Sequence, residues 1–257
     1  MIPISDDNPH LRTPYMTYAL LGAIIAAWVL LQGAGMSERD LAVSVCNLGM
    51  VPGELTGQAP IGTGVPIARD LACVVDDDWY NALTPITSMF LHGGWAHLLG
   101  NGLFFWVFGN NVEDSMGRFR FLVFYLLCGL AAAAAHVFLS PTSPVPTVGA
   151  SGAISGVMGA YLVLYPRVRV NMLFILIFFI RIIPLPAWVV LIWWFLLQLL
   201  TGVPELLQVD REVTGGVAVW AHVGGFIAGV VLVKVFENPG LVRERDRVRH
   251  ILHPDHP

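Results

Sequence analysis

Apolar residues fall along this chain in runs of 15 to 21 positions, separated by polar or Pro- and Gly-rich stretches. A bilayer core about 30 Å thick takes roughly 17–25 residues of helix. Segments 15–32, 95–112, 119–139, 151–165, 185–200 and 217–236 therefore read as six transmembrane helices. A further apolar run, 172–183, contains Arg181 and is bounded by Pro184 and Pro186, so it reads as a bent interfacial connector and not a seventh span. The chain then divides into an N-terminal tail (1–14), a membrane domain (15–236) with a long first loop (33–94), and a C-terminal tail (237–257). The first run is too long for a signal peptide and is preceded by Asp6, Asp7 and a single Arg, so it reads as an uncleaved helix.

Composition strengthens this picture. Of the 257 residues, 56% are apolar and only 12% charged, with mean hydropathy +0.68; soluble domains carry about 25% charged residues. An all-α membrane protein is expected. The net charge is −4, and Lys and Arg are scattered, which excludes a basic nucleic-acid face. Cys46, Cys73 and Cys128 lack metal-ligand spacing, and neither a metal nor a cofactor is expected. Cys46 and Cys73 are able to pair if their loop is extracytoplasmic, or to remain free thiols.

Cytoplasmic loops retain Lys and Arg. With the N-terminus inside, eleven of the 14 basic residues lie inside, and Arg39, Arg69 and Arg211 lie outside. Both tails are then cytoplasmic in a multi-pass cell-membrane protein, and segments two, four and six begin on the outer side. His97 and Asn101, one turn apart near the start of segment two, share a face. Ser151 opens segment four and His222 lies about a turn into segment six, so the four polar residues occupy one depth. Polar side chains in a membrane are costly and usually face a bundle interior or a watery cavity.

Segment four is short: fifteen residues cover about 22 Å at roughly 1.5 Å per residue. Its Ser151 end should stop below the outer surface, with the Pro-rich 140–148 loop descending into a water-filled cavity. Gly152 and Gly156 on segment four, and Gly225 and Gly229 on segment six, recur every four positions and should let these helices touch. Close approach would bring His222 to Ser151 as a general base, with His97, Asn101 and the Ser151 N–H around an oxyanion.

These residues fall into three motifs that resemble the rhomboid family of intramembrane serine proteases. Gly149-Ala150-Ser151-Gly152 is similar to its Gly-x-Ser-Gly nucleophile motif, and Ala221-His222-Val223-Gly224-Gly225 to its catalytic histidine motif. His97-Leu98-Leu99-Gly100-Asn101 is similar to its His-x-x-x-Asn motif, preceded by Phe90-Leu91-His92-Gly93-Gly94-Trp95. The resemblance implies a six-helix bundle with a Ser151–His222 dyad, an acyl-enzyme intermediate, and transmembrane segments of other proteins as substrates in the lipid bilayer. It further implies a lateral gate in helix five, with Trp193, Trp194 and Phe195 as candidates, and a cap at 201–216. No feature of the chain sets an oligomeric state.

Two positions depart from the family pattern. Ser155 stands where an aromatic ring often packs on the catalytic histidine, and Trp79-Tyr80-Asn81 stands where the first loop commonly carries a Trp-Arg pair. Among the remaining polar residues, His92 and His136 are expected at interfaces. Glu113 and Arg118 are expected to pair at the inner end of helix two, Asp76 to Asp78 to form a solvated turn, and the 243–249 arginines to rest on anionic lipid. A client-binding protein without protease activity is the alternative function. A histidine-lined transporter or metal channel using His92, His97 and His222 is disfavoured, since the spans lack an inverted repeat and carboxylates for an ion path.

Overall fold

The computed structural model describes residues 2–9, 11–68, 71–176, 179–206 and 219–252. Strand β1 (Ile2–Asp6) precedes helix α1 (Tyr15–Leu30); α2 (Glu38–Leu48), α3 (Pro52–Thr56), strands β2 (Gly64–Ala68) and β3 (Leu71–Val74), and short α4 (Thr84–Thr87) follow. Helices α5 (Trp95–Met116), α6 (Arg118–Leu139) and α7 (Ser151–Leu164) lead to strands β4 (Arg169–Leu176) and β5 (Phe179–Pro186). The chain continues through α8 (Ala187–Leu206), α9 (Val219–Phe236) and α10 (Pro239–Leu252). Among the described residues, α6 and α9 are long and apolar enough to cross a membrane, and α1, α7 and the Ala187–Gly202 part of α8 are shorter apolar helices.

Helix α7 is the axis of the bundle. Its 14 residues span about 21 Å, and ten in succession, Gly152 through Tyr161, are buried against α5, α6, α8 and α9. A Cβ on Gly229 would lie 1.9 Å from the Gly156 carbonyl oxygen, and one on Gly159 would lie 2.3 Å from that of Phe226. The α7 and α9 backbones therefore touch, which only glycine at these positions permits.

The first loop holds the start of α7 by main-chain bonds. Met50 and Thr147 exchange N–H···O bonds of 2.9 and 2.8 Å, Gly53 N–H donates to Ser143 O (2.9 Å), and Gly149 N–H donates to Ser88 O (2.9 Å). His136 Nε2 meets Thr147 Oγ1 at 3.1 Å, so this buried histidine supports the loop before α7. The loop itself is tied by a Cys46–Cys73 disulfide. Asp76 accepts from Asn81 Nδ2 (2.8 Å) and from Asp78 N–H (3.1 Å), which orders the acidic turn, while Trp79 stays exposed.

The opposite end of α7 departs from the sequence-based expectation. Residues 172–176 and 179–183 lie in paired strands, not a bent connector: β4 and β5 pair from Arg169↔Pro186 to Leu176↔Phe179, and β1 adds antiparallel to β4, giving the order β1-β4-β5. Pro184 and Pro186 sit on the edge strand, where their missing N–H groups break no ladder bond. Of the tail arginines expected on lipid, Arg245 is not free to reach it, whereas Arg243 and Arg247 are exposed. Helix α10, opened by Pro239, buries Arg245, whose guanidinium donates to Asn111 O (2.9 Å), Ser115 Oγ (3.1 Å), Asn111 Oδ1 and the Tyr165 hydroxyl, and lies 4.0 Å from the Tyr165 ring centroid. Orphaning one such buried acceptor would cost about 1–3 kcal/mol.

Glu113 does not pair with Arg118. Its carboxylate accepts Met16 N–H (2.9 Å), Thr17 N–H (2.7 Å) and Thr17 Oγ1–H (2.7 Å), while Arg118 stacks over the Tyr15 ring. The open N–H groups and positive dipole end of α1 compete better for a buried carboxylate than an exposed cation does.

Candidate active site

Gly149 adopts φ +134°, a conformation closed to most side chains, and turns the chain so that Ser151 begins α7. Ala150 at the N-cap position has no side-chain acceptor, so the first N–H groups of α7 remain available. The Ser151 hydroxyl lies 2.7 Å from His222 Nε2. His222, one turn into α9, is buried, and its Nδ1 lies 2.8 Å from Gln198 Oε1 on α8. The Trp194 ring lies against the imidazole, with centroids 5.8 Å apart.

His97 approaches from α5. Its Nδ1 accepts the Gly93 N–H (3.3 Å), which leaves the proton of a neutral ring on Nε2. That nitrogen is 2.7 Å from where a Cβ on Gly149 would stand, and Ser151 Oγ is 3.4 Å from the same point. A side chain at Gly149 would therefore occupy the space between His97 and Ser151. Asn101 is also buried, but its Nδ2 is engaged by His92 Nε2 at 2.9 Å. Ser151, His222 and His97 are thus drawn together, and Asn101, one turn on from His97 along α5, is bonded to His92.

Sequence reasoning set His92 aside as interfacial, yet it is fully buried. Its backbone is clamped by Gln32, which donates Nε2–H to His92 O and accepts His92 N–H, both at 2.8 Å. Burial, with His97 as a smaller cause, pushes its imidazole down to about 4, so the neutral ring accepts from Asn101. Gln198 went unremarked too. Its signal was a lone amide in the apolar run Trp193-Trp194-Phe195-Leu196-Leu197-Gln198-Leu199-Leu200.

Ser155 Oγ–H donates back to the Ser151 carbonyl (2.6 Å) and makes no contact in place of the absent ring. The three gate candidates separate. Trp193 is exposed, whereas Trp194 and Phe195 pack on Phe226, with centroids 6.1 and 4.7 Å away. A groove of about 560 Å³ runs beside α8, lined among others by Phe104 of α5, Trp188, Trp193 and Leu197. The expected cap, 201–216, lies for the most part outside the described residues. Gly152 meets Ala132 and Gly156 meets Cys128 across the α6 face, where added Cβ atoms would lie 2.6 and 2.4 Å from the partner Cβ.

The family model for the rhomboid domain matches residues 78–238, more than half of the chain. The chain is 43% identical over 96 residues to Rhomboid protease GluP of Bacillus subtilis (strain 168), an alignment covering 37% of this chain and 18% of that protein. It is 37% identical over 89 residues to Putative rhomboid protease YdcA of the same organism, covering 35% and 43%. With Rhomboid protein 1, mitochondrial, of Saccharomyces cerevisiae, identity is 26% over 156 residues, covering 57% and 39%. In each case the alignment spans less than half of the relative's length. With the domain match running from the first loop through α9 and apolar helices throughout, the chain belongs to the rhomboid family of membrane proteins.

Proposed function

We propose that this chain is an intramembrane serine endopeptidase that hydrolyses peptide bonds in or near transmembrane segments of other membrane proteins. The observation that carries the reading is the 2.7 Å contact between Ser151 Oγ and His222 Nε2 at the start of a short, buried helix. Helices α1, α5, α6, α7, α8 and α9 are its six spans, forming a membrane body of about 15–236 between cytoplasmic tails 1–14 and 237–257. The distribution of basic residues supports that orientation in the cell membrane, and the Cys46–Cys73 disulfide fits an oxidising outer compartment for the 33–94 loop.

In the reaction, Ser151 Oγ attacks the substrate carbonyl carbon while His222 Nε2 takes the hydroxyl proton. The carbonyl π pair moves onto oxygen, and the oxyanion meets the Ser151 N–H at the α7 terminus and His97 Nε2–H, with Asn101 held by His92. Collapse expels the amine, which takes the proton from His222 and leaves an ester on Ser151. Water then attacks the ester, giving its proton to His222, and the peptide acid departs as Ser151 regains its hydrogen. The water reaches Ser151 from the outer side, above the short helix. The groove between α5 and α8 is the entry for an unwound substrate, with Trp193 at its edge.

A fluorophosphonate probe on the full chain in liposomes tests this reading. Wild type should be labelled, and Ser151→Ala and His222→Ala should lose labelling and cleavage of transmembrane reporters. Equal labelling of Ser151→Ala would overturn the dyad. Reporter binding without cleavage by wild type would favour a client-binding protein.

A further inference from the structure

We propose that Gln198 is a positioning residue that sets the tautomer of His222, so that α8 and not α7 orients the base. This rests on the reading of Ser151 and His222 as nucleophile and base. A neutral imidazole carries one proton, and to accept from Ser151 the Nε2 lone pair must be free, which requires the proton on Nδ1. The partner at Nδ1 is the Gln198 side-chain oxygen, 2.8 Å away, and a carbonyl oxygen only accepts. The two contacts, 2.8 Å at Nδ1 and 2.7 Å at Nε2, then select one tautomer and one ring orientation.

Trp194 and Gln198 are four residues apart on α8 and share a face, so one helix supplies both a ring against the imidazole and an acceptor for its far nitrogen. This answers the absence of a ring at Ser155, whose hydroxyl is turned to its own helix. An amide between Leu197 and Leu199 in an apolar helix is costly unless it is hydrogen-bonded, and His222 meets its oxygen. The other titratable groups acting on His222 are His97 of α5 and His136 of α6; α7 presents the Ser151 hydroxyl, and α8 presents the neutral Gln198 and Trp194. Because α8 also walls the groove, the orientation of the base depends on the seating of the helix that substrate passes.

Two variants of the full chain in liposomes decide the matter, read by the rate of fluorophosphonate labelling, by kcat and KM for a quenched transmembrane reporter, and by pH profile. Gln198→Leu removes the acceptor and should lower kcat and labelling about 10- to 100-fold, a part of the roughly 10²- to 10⁴-fold that a positioned base contributes, with KM within about twofold. Gln198→Glu keeps an acceptor that cannot flip to a donor. It should retain activity within about tenfold of wild type and move the acid limb of the profile up by about one pH unit, because a carboxylate at Nδ1 favours protonated His222. A purely structural role would change thermal stability and leave the acid limb in place. Wild-type kinetics in Gln198→Leu, or an unmoved acid limb in Gln198→Glu, overturns the proposal while Ser151→Ala remains silent. If Gln198→Leu does not fold, Gln198→Glu carries the decision. Labelling of Ser151→Ala at the wild-type rate would instead overturn the dyad itself.

Discussion

A Cβ placed on Gly225 would lie 2.0 Å from the carbonyl oxygen of Gly152, so α7 and α9 meet backbone to backbone one residue past Ser151 and three past His222. This contact sets the register that brings hydroxyl and imidazole to 2.7 Å. Gly225→Val must push the helices apart, since neither a carbonyl nor the backbone carrying it can yield like a flexible side chain. Overpacking of this kind costs about 1–3 kcal/mol. Thermal unfolding should fall in temperature, and probe labelling of Ser151 should fall further than the stability loss alone explains. Labelling at the wild-type rate would separate the register from the site.

In the proposed mechanism His97 contributes a donor beside Ser151, and what ties it to the fold is light: a 3.3 Å bond from Gly93 N–H and an edge contact with the His92 ring. Removal of one oxyanion donor typically costs about 10²- to 10³-fold in rate. His97→Ala should lower kcat by that order, leave KM nearly unchanged and shift the unfolding temperature little. A change confined to KM would assign His97 to substrate binding.

The reach of the sequence varies with the physics of each element. Ser151, His97 and His222 stand out because polar groups in apolar runs are costly and so are rarely incidental. Strands β4 and β5 do not, because short apolar stretches cannot be assigned to strand or buried helix by periodicity alone, and the strand that extends their pairing is β1, some 165 residues earlier. Gln198 is visible as an oddity within its run, but its partner lies 24 residues on, across an inter-helix contact that no local pattern encodes. Spacing points Glu113 to the nearby Arg118, but the helix end it meets lies some 96 residues earlier, where no local pattern reaches.

At the Leu164 end of α7, Asp6 accepts from Asn111 Nδ2 (2.8 Å) and from the Tyr161 hydroxyl. Burial, the largest cause, raises its carboxyl to about 6 from 3.8, against the lowering effect of the Tyr161 bond and Arg245. Between about pH 4 and pH 6 the folded carboxyl keeps a proton that the unfolded chain has released. Stability should therefore fall as pH rises through that window, by an amount of order 2–3 kcal/mol. Asp6→Asn should flatten the dependence of unfolding temperature on pH there. A slope unchanged in the variant would place the titration elsewhere.

The Cys46–Cys73 disulfide closes a 27-residue separation within the loop whose backbone pairs with 143–149 just before Ser151. Chain-entropy arguments give such a closure about 3–4 kcal/mol. Its loss should loosen the first loop and, through Met50–Thr147 and Ser88–Gly149, the turn that presents the nucleophile. Reductant should lower the unfolding temperature of the wild type and slow Ser151 labelling, and should do neither in the Cys46→Ser/Cys73→Ser double variant, which begins at the reduced level. A wild type insensitive to reductant while its thiols titrate as free would show that α7 is positioned by the main-chain ladder alone.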